Sequence, residues 1–284
     1  MLVHARDIVN RAIKGGYAVG SFNIHSLESV FGIAKAAVEM NSPIIIQTSE
    51  GTINYIGLDR LTFIVSDVAK TIAKDIPIAL QLDHGKSIES VFACIDAGFS
   101  SVHIDASAYA LDKNIQLTKK VVKKAHKKGV WVQGEVGSIM GGHGKIDGEI
   151  HGIPIAKLED VVEFVAKTDV DMIAAAIGTA HGVYDNEDII IPLLKDIKNE
   201  TKKPFVLHGG SGVENKKIKK AIKSGVNVIN IGSDIKIAYS RALIKNCKEH
   251  PKETDPRTLL TPTIDAVAQT VKESIKLFGS KNKA

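Results

Sequence analysis

Residues 78–105 read IALQLDHGKSIESVFACIDAGFSSVHID, and this stretch holds one complete structural unit. The apolar run 78–83 stops at Asp83-His84-Gly85. Residues 87–97 then carry apolar side chains at helical spacing and end at Gly98, and a second apolar run, 101–105, stops at Asp105. Strands this evenly apolar are buried on both faces, as in a parallel sheet covered by helices.

The same unit recurs on either side. Further strands are expected at 17–22 (YAVGSF), 44–49 (IIIQTS), 130–136 (VWVQGEV), 171–176 (DMIAAA), 204–208 (PFVLH) and 227–231 (NVINI). Helical patterns lie between them, near 26–40, 58–74, 112–128, 157–167, 189–198, 214–224 and 234–248. Asn41-Ser42-Pro43, Asp75-Ile76-Pro77 and Lys203-Pro204 precede strands, while Gly98, Gly129 and Gly225 close helices. Eight such units in 284 residues point to a single (β/α)8 TIM barrel spanning 1–284, with an open doubly wound sheet as the alternative. A last amphipathic helix at 260–278 is expected to pack or contact a subunit. The glycine-rich connection 137–156 is the longest without periodicity, as active-site loops often are.

Composition excludes several classes. Apolar residues make up 44% and charged residues 24%, ordinary for a globular domain. The net charge of +5 comes from lysines in helical windows such as 119–128 and 216–223, without the interleaved aromatics that nucleic acid needs. Neither nucleic acid nor membrane is an expected partner. Cys94 and Cys247 form no CxxC pair, so neither a disulfide framework nor a thiolate metal site is expected. The N-terminus lacks a signal-peptide core, and no apolar run reaches the ~18 residues of a membrane span. The expected location is the cytoplasm.

Chemistry in such a barrel sits at the C-terminal ends of the strands. There the chain places Asn23, Ser49, Asp83, His84, Asp105, Glu135, His181, His208 and Asn230. Three of them precede glycine: His84-Gly85, His181-Gly182 and His208-Gly209. Three imidazoles with an open position suit a catalytic divalent cation, zinc by default. Glycine lets backbone approach a ligand and offer its N–H to phosphate, and His208-Gly209-Gly210-Ser211-Gly212, with Asn230-Ile231-Gly232-Ser233, fits that use. No expected strand contains lysine, so Schiff-base chemistry has no residue to use unless Lys86 folds inward, and carbonyl chemistry falls to the metal. His103, inside strand four, reads as structural, as do His4, His25, His126 and His250. His143 and His151 could reach the site from the long loop.

With LDHG, GTAHG, LHGGSG and NIGSD together, the chain resembles the class II, metal-dependent ketose-bisphosphate aldolases, which include fructose- and tagatose-bisphosphate enzymes. The likeness runs from GGYAVGSFNIHSLES to LFGSKNKA. It implies one catalytic Zn2+ per subunit on His84, His181 and His208, with Asp105 and Glu135 at an alternate metal position. It also implies that Asp83 exchanges the proton of the substrate C4 hydroxyl. Gly182, Gly209, Ser211 and Ser233 would bind the phosphate beside the ketone, Asn23, Ser49 and Asn230 the substrate chain, and Lys236 and Arg257 the distal phosphate, the arginine open to supply by a neighbouring subunit. The implied reaction is reversible cleavage of a ketose 1,6-bisphosphate to dihydroxyacetone phosphate and an aldehyde, in a homodimer or homotetramer that could also hold a monovalent cation.

Three positions depart from the family pattern. A Gly-Gly-x-Glu-Asp segment is usual after strand five, where this chain has Gly141-Gly142-His143-Gly144-Lys145. Glu149 is then the first candidate for the missing acid, before Asp147 or His143. Asp185 stands where many members have lysine, and Gly232 where fructose enzymes often have aspartate and tagatose enzymes alanine. Other phosphorylated sugars or sugar acids, such as a keto-deoxy-gluconate phosphate, therefore stay open, as does a metal-binding accessory subunit without turnover. A barrel hydrolase would need a His-x-His pair on strand one, which YAVGSFNIH lacks.

Overall fold

The computed structural model describes residues 1–139, 141–146, 152–184 and 188–284, except for the side chains of 141–146 and of Val183. The first half runs α1 (Ala5–Gly15), β1 (Val19–Asn23), α2 (Leu27–Glu39), β2 (Ile44–Ser49), α3 (Glu50–Ile56), α4 (Leu58–Thr71), β3 (Ile78–Gly85), α5 (Ile88–Asp96), β4 (Ser101–Ile104), α6 (Leu111–Lys127) and β5 (Trp131–Val136). The second half continues β6 (Gly141–Ile146), α7 (Leu158–Thr168), β7 (Met172–Ala175), β8 (His181–Val183), α8 (Ile191–Thr201), β9 (Phe205–Leu207), α9 (Asn215–Lys223), β10 (Val226–Ile231), α10 (Ser233–Glu249) and α11 (Pro256–Phe278).

Eight parallel strands close a barrel in the order β1-β10-β9-β7-β5-β4-β3-β2, as the alternating pattern predicts. Local chemistry sets the element ends. Ser26 and Ser29 form a capping box at α2, Ser87 caps α5, and Asp255 with Pro256 starts α11. Gly16 and Gly279 close helices in the left-handed conformation.

The period of two along each strand divides the interior into layers. Residues pointing outward, such as Phe22, Ile46, Leu82, Val132 and Leu207, pack against the helices. Those pointing inward start apolar at the N-terminal end, with Val19, Ile45, Ala79, Met172, Val206 and Val228 closed off by Ala5, Ile8, Val9 and Ala12 of α1. Two residues further along, the interior turns polar, with Ser21, Gln47, Gln81 and Gln133 all buried. Two further still come Asn23, Ser49, Asp83 and Glu135 at the rim, and Asn230, the register partner of Ser21, reaches the same cleft from one layer below.

Several features went beyond the sequence reading. α1 and α3 were not expected, although the N-terminal segment is amphipathic. A two-stranded parallel sheet, β6 with β8, stands outside the barrel and pairs Gly141 with His181 and Ile146 with Val183. His181 is thereby corrected: it does not close the sixth barrel strand, which ends at Ala175, but opens β8 in the loop beyond. The expected loop 137–156 contains β6. No helix among the described residues is long and apolar enough to cross a membrane.

Candidate active site and metal centre

Ten of the residues singled out in the sequence line one cleft: Asn23, Asp83, His84, His181, Gly182, His208, Gly209, Ser211, Asn230 and Ser233, with Gly232 beside them. Their ring centroids bring the three histidines together: 4.7 Å for His84–His208, 4.8 Å for His84–His181 and 5.7 Å for His181–His208. A wider cavity of about 370 Å3, bordered by His84, Asp105, Ser107 and Tyr109, adjoins the cleft. A separate cavity of about 430 Å3 lies behind Gly210 and Gly212, and no histidine borders it.

β3 delivers the two central residues. Its register against β4 shifts between Leu82 and Gly85, and His84 adopts φ +47°, an uncommon conformation for a side-chain-bearing residue. The irregularity puts Asp83 and His84, which a regular strand would send to opposite faces, against the same site: their Oδ1 and Nε2 are 3.7 Å apart. Gly85 follows because a Cβ there would meet Val91, Leu82 and the carbonyl of His103. Glu50, at the start of α3, accepts from the Lys86 N–H at 2.8 Å and from the Ser90 hydroxyl, holding the loop that follows.

Asp83 is buried and accepts from Asn23 Nδ2 at 2.8 Å and Asn230 Nδ2 at 3.5 Å. Gln47 fixes the Asn23 amide by donating to its Oδ1 at 2.8 Å, and Ser21 donates in turn to Gln47 at 2.7 Å. Burial alone would push Asp83 upward, but His84, the Asn23 bond, His103 and His181 outweigh it and hold the carboxyl below its ordinary range. An ionised, desolvated carboxylate facing a cleft suits a general base.

His84 Nδ1 bonds Asp105 Oδ2 at 2.8 Å. Burial opposes its charged form, yet Asp83, Asp105 and Glu135 around it raise the imidazole to about 9. Glu135 is pushed up to about 8, by burial first and Asp105 second, while Asp105 is held low by His84, His103 and Ser107 against its own burial. The Ser107 hydroxyl lies 2.7 Å from Asp105 and 2.9 Å from Glu135. One hydroxyl hydrogen cannot serve both carboxylates, so a proton on Glu135 completes that chain.

His103, read as structural in the sequence, belongs to this cluster. The His84 N–H donates to its Nδ1 at 3.3 Å, so the ring is neutral with its proton on Nε2, and burial and His84 lower it to about 4. Its Nε2 faces Glu135 Oε2 at 3.6 Å, and neither atom has a hydrogen-bond partner among the described residues. A signal was legible: His103-x-Asp105 puts both side chains on one face of β4.

Buried donors of this kind fit a divalent cation. Asp83, His84, His103 and His208 can each offer an atom within 4.8 Å of the others, and so can His84, His103, Asp105 and Glu135. Mixed imidazole and carboxylate donors suit a borderline transition metal. His181 lies against His84 but outside these tightest groups.

The glycine turn after β9 lines the same cleft as Asp83. Gly209 has φ +64°, and a Cβ there would run into the backbone of Ala180. Ser211 Oγ accepts from the Asp234 N–H at 3.3 Å, and Ser233 opens α10, so the cleft faces the N-terminus of a helix. Lys236, one turn on, is lowered by burial and raised by Asp83, which places its charge near the carboxylate. Ser49 uses its hydroxyl to cap α3. Arg257 is 90% exposed and bonded to Asp255, away from the cleft. Glu149, Asp147, His151 and Asp185 lie outside the described residues, as does the side chain of His143.

Comparison with known proteins agrees with this geometry. The family model described as fructose-bisphosphate aldolase class-II matches residues 3–283. Fructose-bisphosphate aldolase of Geobacillus stearothermophilus is 37% identical over 285 residues, covering 100% of this chain and 99% of that one. The fructose-bisphosphate aldolase of Staphylococcus aureus strain Mu50 is 39% identical over 286 residues, with the same coverage. Among solved structures, the YdjI aldolase from Escherichia coli K12 superposes with a TM-score of 0.84 at 29% identity, covering 100% of both chains.

Proposed function

The chain belongs to the class II fructose-bisphosphate aldolase family, a metal-dependent family of lyases, and from that premise we propose a specific reaction and set of roles. The substrate is a ketose 1,6-bisphosphate, cleaved reversibly to dihydroxyacetone phosphate and glyceraldehyde 3-phosphate. The carrying observation is a buried Asp83 held by two amides beside converging imidazoles, in a cleft also lined by a glycine turn and a helix N-terminus.

His84, His181 and His208 would hold a single Zn2+ per subunit, with Asp105 and Glu135 offering an alternate position. When bound, it supplies Lewis acidity toward the ketone oxygen and the negative charge that gathers there. Asp83 takes the C4 hydroxyl proton as the C3–C4 bond breaks, and returns it in the aldol direction. Asn23 and Asn230 hold that carboxylate and, with Ser49, border the substrate chain. The N–H groups of Gly182 and Gly209 and the hydroxyls of Ser211 and Ser233 bind the phosphate next to the ketone. Lys236 contacts the distal phosphate. Arg257, which projects into solvent at the start of α11, is available to the cleft of a neighbouring copy, so the working form is a homodimer or homotetramer. Glu149 protonates C3 of the departing three-carbon fragment. Two free cysteines, Cys94 buried and Cys247 exposed, fit a reducing compartment such as the cytoplasm.

The test measures dihydroxyacetone phosphate release from fructose 1,6-bisphosphate, tagatose 1,6-bisphosphate and a keto-deoxy-gluconate phosphate, with and without chelator. The sugar acid belongs in the panel because Gly141–Lys145 departs from the family pattern. Fructose bisphosphate turnover lost on chelation and restored by zinc is expected. Full activity after complete metal removal would overturn the proposal.

A further inference from the structure

Directly beneath the cleft, the barrel interior departs from the branched apolar filling usual there. β2, β3 and β5 instead place Gln47, Gln81 and Gln133 in it, all fully buried, and Gln47 and Gln81 are register partners. Gln47 serves Asn23, as described. The other two form a second chain: Gln81 Nε2 donates to Gln133 Oε1 at 3.1 Å, and Gln133 Nε2 lies 2.6 Å from His208 Nε2.

The direction of that chain has a consequence for ligation. An amide N–H donated to Nε2 requires a lone pair on that nitrogen, so a neutral His208 carries its proton on Nδ1. In that form one ring nitrogen is occupied as an acceptor and the other is protonated, and neither is available to a cation. Ligation needs the opposite polarity, with Nε2–H donating to an oxygen of residue 133 and the other nitrogen released. A carboxamide permits this in place, because its oxygen and nitrogen exchange by rotation about the last side-chain bond. Gln81 is also an amide and can turn with it, so the bond between the two glutamines survives with its direction reversed.

We infer that Gln133, backed by Gln81, is a positioning residue that selects the tautomer of His208 and so sets the cation affinity of the site. The inference rests on the reading of His208 as a metal ligand. Two contacts of His208 do not take over this role: the Thr179 hydroxyl donates to its backbone carbonyl at 2.8 Å, and the Asn230 amide, whose Nδ2 lies 3.3 Å from Nε2, is kept from turning its oxygen there because that Nδ2 also donates to Asp83.

The experiment titrates Zn2+ and Co2+ against a chromophoric chelator, using purified full-length protein and its variants, alongside the Co2+ visible spectrum and 15N NMR of labelled histidine. Gln133→Leu is expected to weaken zinc binding by about 10–100-fold, the usual effect of losing a group that orients a ligand. Gln133→Glu can only accept, so it is expected to bind zinc at least as tightly as the parent and to show a protonated His208 Nε2 before metal is added. A merely structural role would lower the melting temperature and leave affinity and tautomer unchanged. A folded Gln133→Leu with parental affinity overturns the inference, as does a weakened Gln133→Glu, which can be read even if the leucine variant fails to fold. His208→Ala separates the underlying reading: parental zinc affinity in that variant would remove His208 from the ligand set.

Discussion

Replacing Asp83 by asparagine keeps the shape of the side chain and removes its ability to accept a proton. Asp83 Oδ2 accepts from Asn23 at 2.8 Å, and an amide oxygen can keep that bond. The introduced NH2 would then face Asn230 Nδ2, now 3.5 Å from Oδ1, as donor against donor. That conflict costs about 1–3 kcal/mol of stability, so a folded variant with a lowered melting temperature is expected. Loss of a positioned base costs about 10²–10⁴ in rate, which is roughly 2.7–5.4 kcal/mol of barrier. Because the proton moves only as the C3–C4 bond breaks, kcat should fall with KM little changed. The assay couples triose phosphate formation to a dehydrogenase across a range of fructose 1,6-bisphosphate concentrations. A parallel measurement follows hydrogen–deuterium exchange at C3 of dihydroxyacetone phosphate, which does not involve the C4 hydroxyl and should persist. Asp83→Asn that retains a tenth or more of parental kcat, or that loses cleavage and C3 exchange equally, would refute the role assigned to this carboxylate.

Gly209→Ala puts a side chain at φ +64° against the Ala180 backbone. About 1–2 kcal/mol of backbone strain, with a displaced turn, should raise KM for the bisphosphate and lower the melting temperature; an unchanged KM would exclude the turn from phosphate binding. A divalent cation at a hundred times its dissociation constant should stabilise the fold by about 2.7 kcal/mol, a shift of several degrees, and His84→Ala should abolish that gain. Scanning calorimetry with and without chelator decides, and a shift that survives in the variant would place the cation elsewhere. Lys198 donates to the Lys203 carbonyl at 2.6 Å and to Asn227 at 3.1 Å, and burial lowers it to about 8. An unfolded lysine titrates near about 10.4, so between these values the unfolded chain holds more protons and native stability rises with pH. Urea midpoints for parent and Lys198→Met at pH 7.5 and 10 should show the parent gaining on the variant; parallel pH dependence would refute this.

The barrel was legible because its signal is local. Strands such as IALQLD and VWVQGEV are short, apolar and bounded by turns, and each ends where polar residues begin. Asp83, His84 and His208 could be picked out for the same reason: the fold places chemistry at those ends whatever the details of packing. Other features were hidden by their non-local origin. β6 and β8 pair across a long stretch of intervening chain, and nothing within GGHGK or HGV announces a partner. His103 reads as one polar residue in an apolar strand until β3, β4 and β5 are set side by side. Gln47, Gln81 and Gln133 look like blemishes in three strands until closure makes them one buried layer.

Sequence alone, then, determined the number and order of the barrel strands and the residue types presented at the rim, because the period of two and the turn residues act over a few positions. Only the tertiary structure decided which of those residues meet. Register and stagger around a closed barrel are fixed by all eight strands together. They bring His103 and Glu135 within 3.6 Å, set Gln133 against His208, and leave Arg257 outside the cleft its own chain builds.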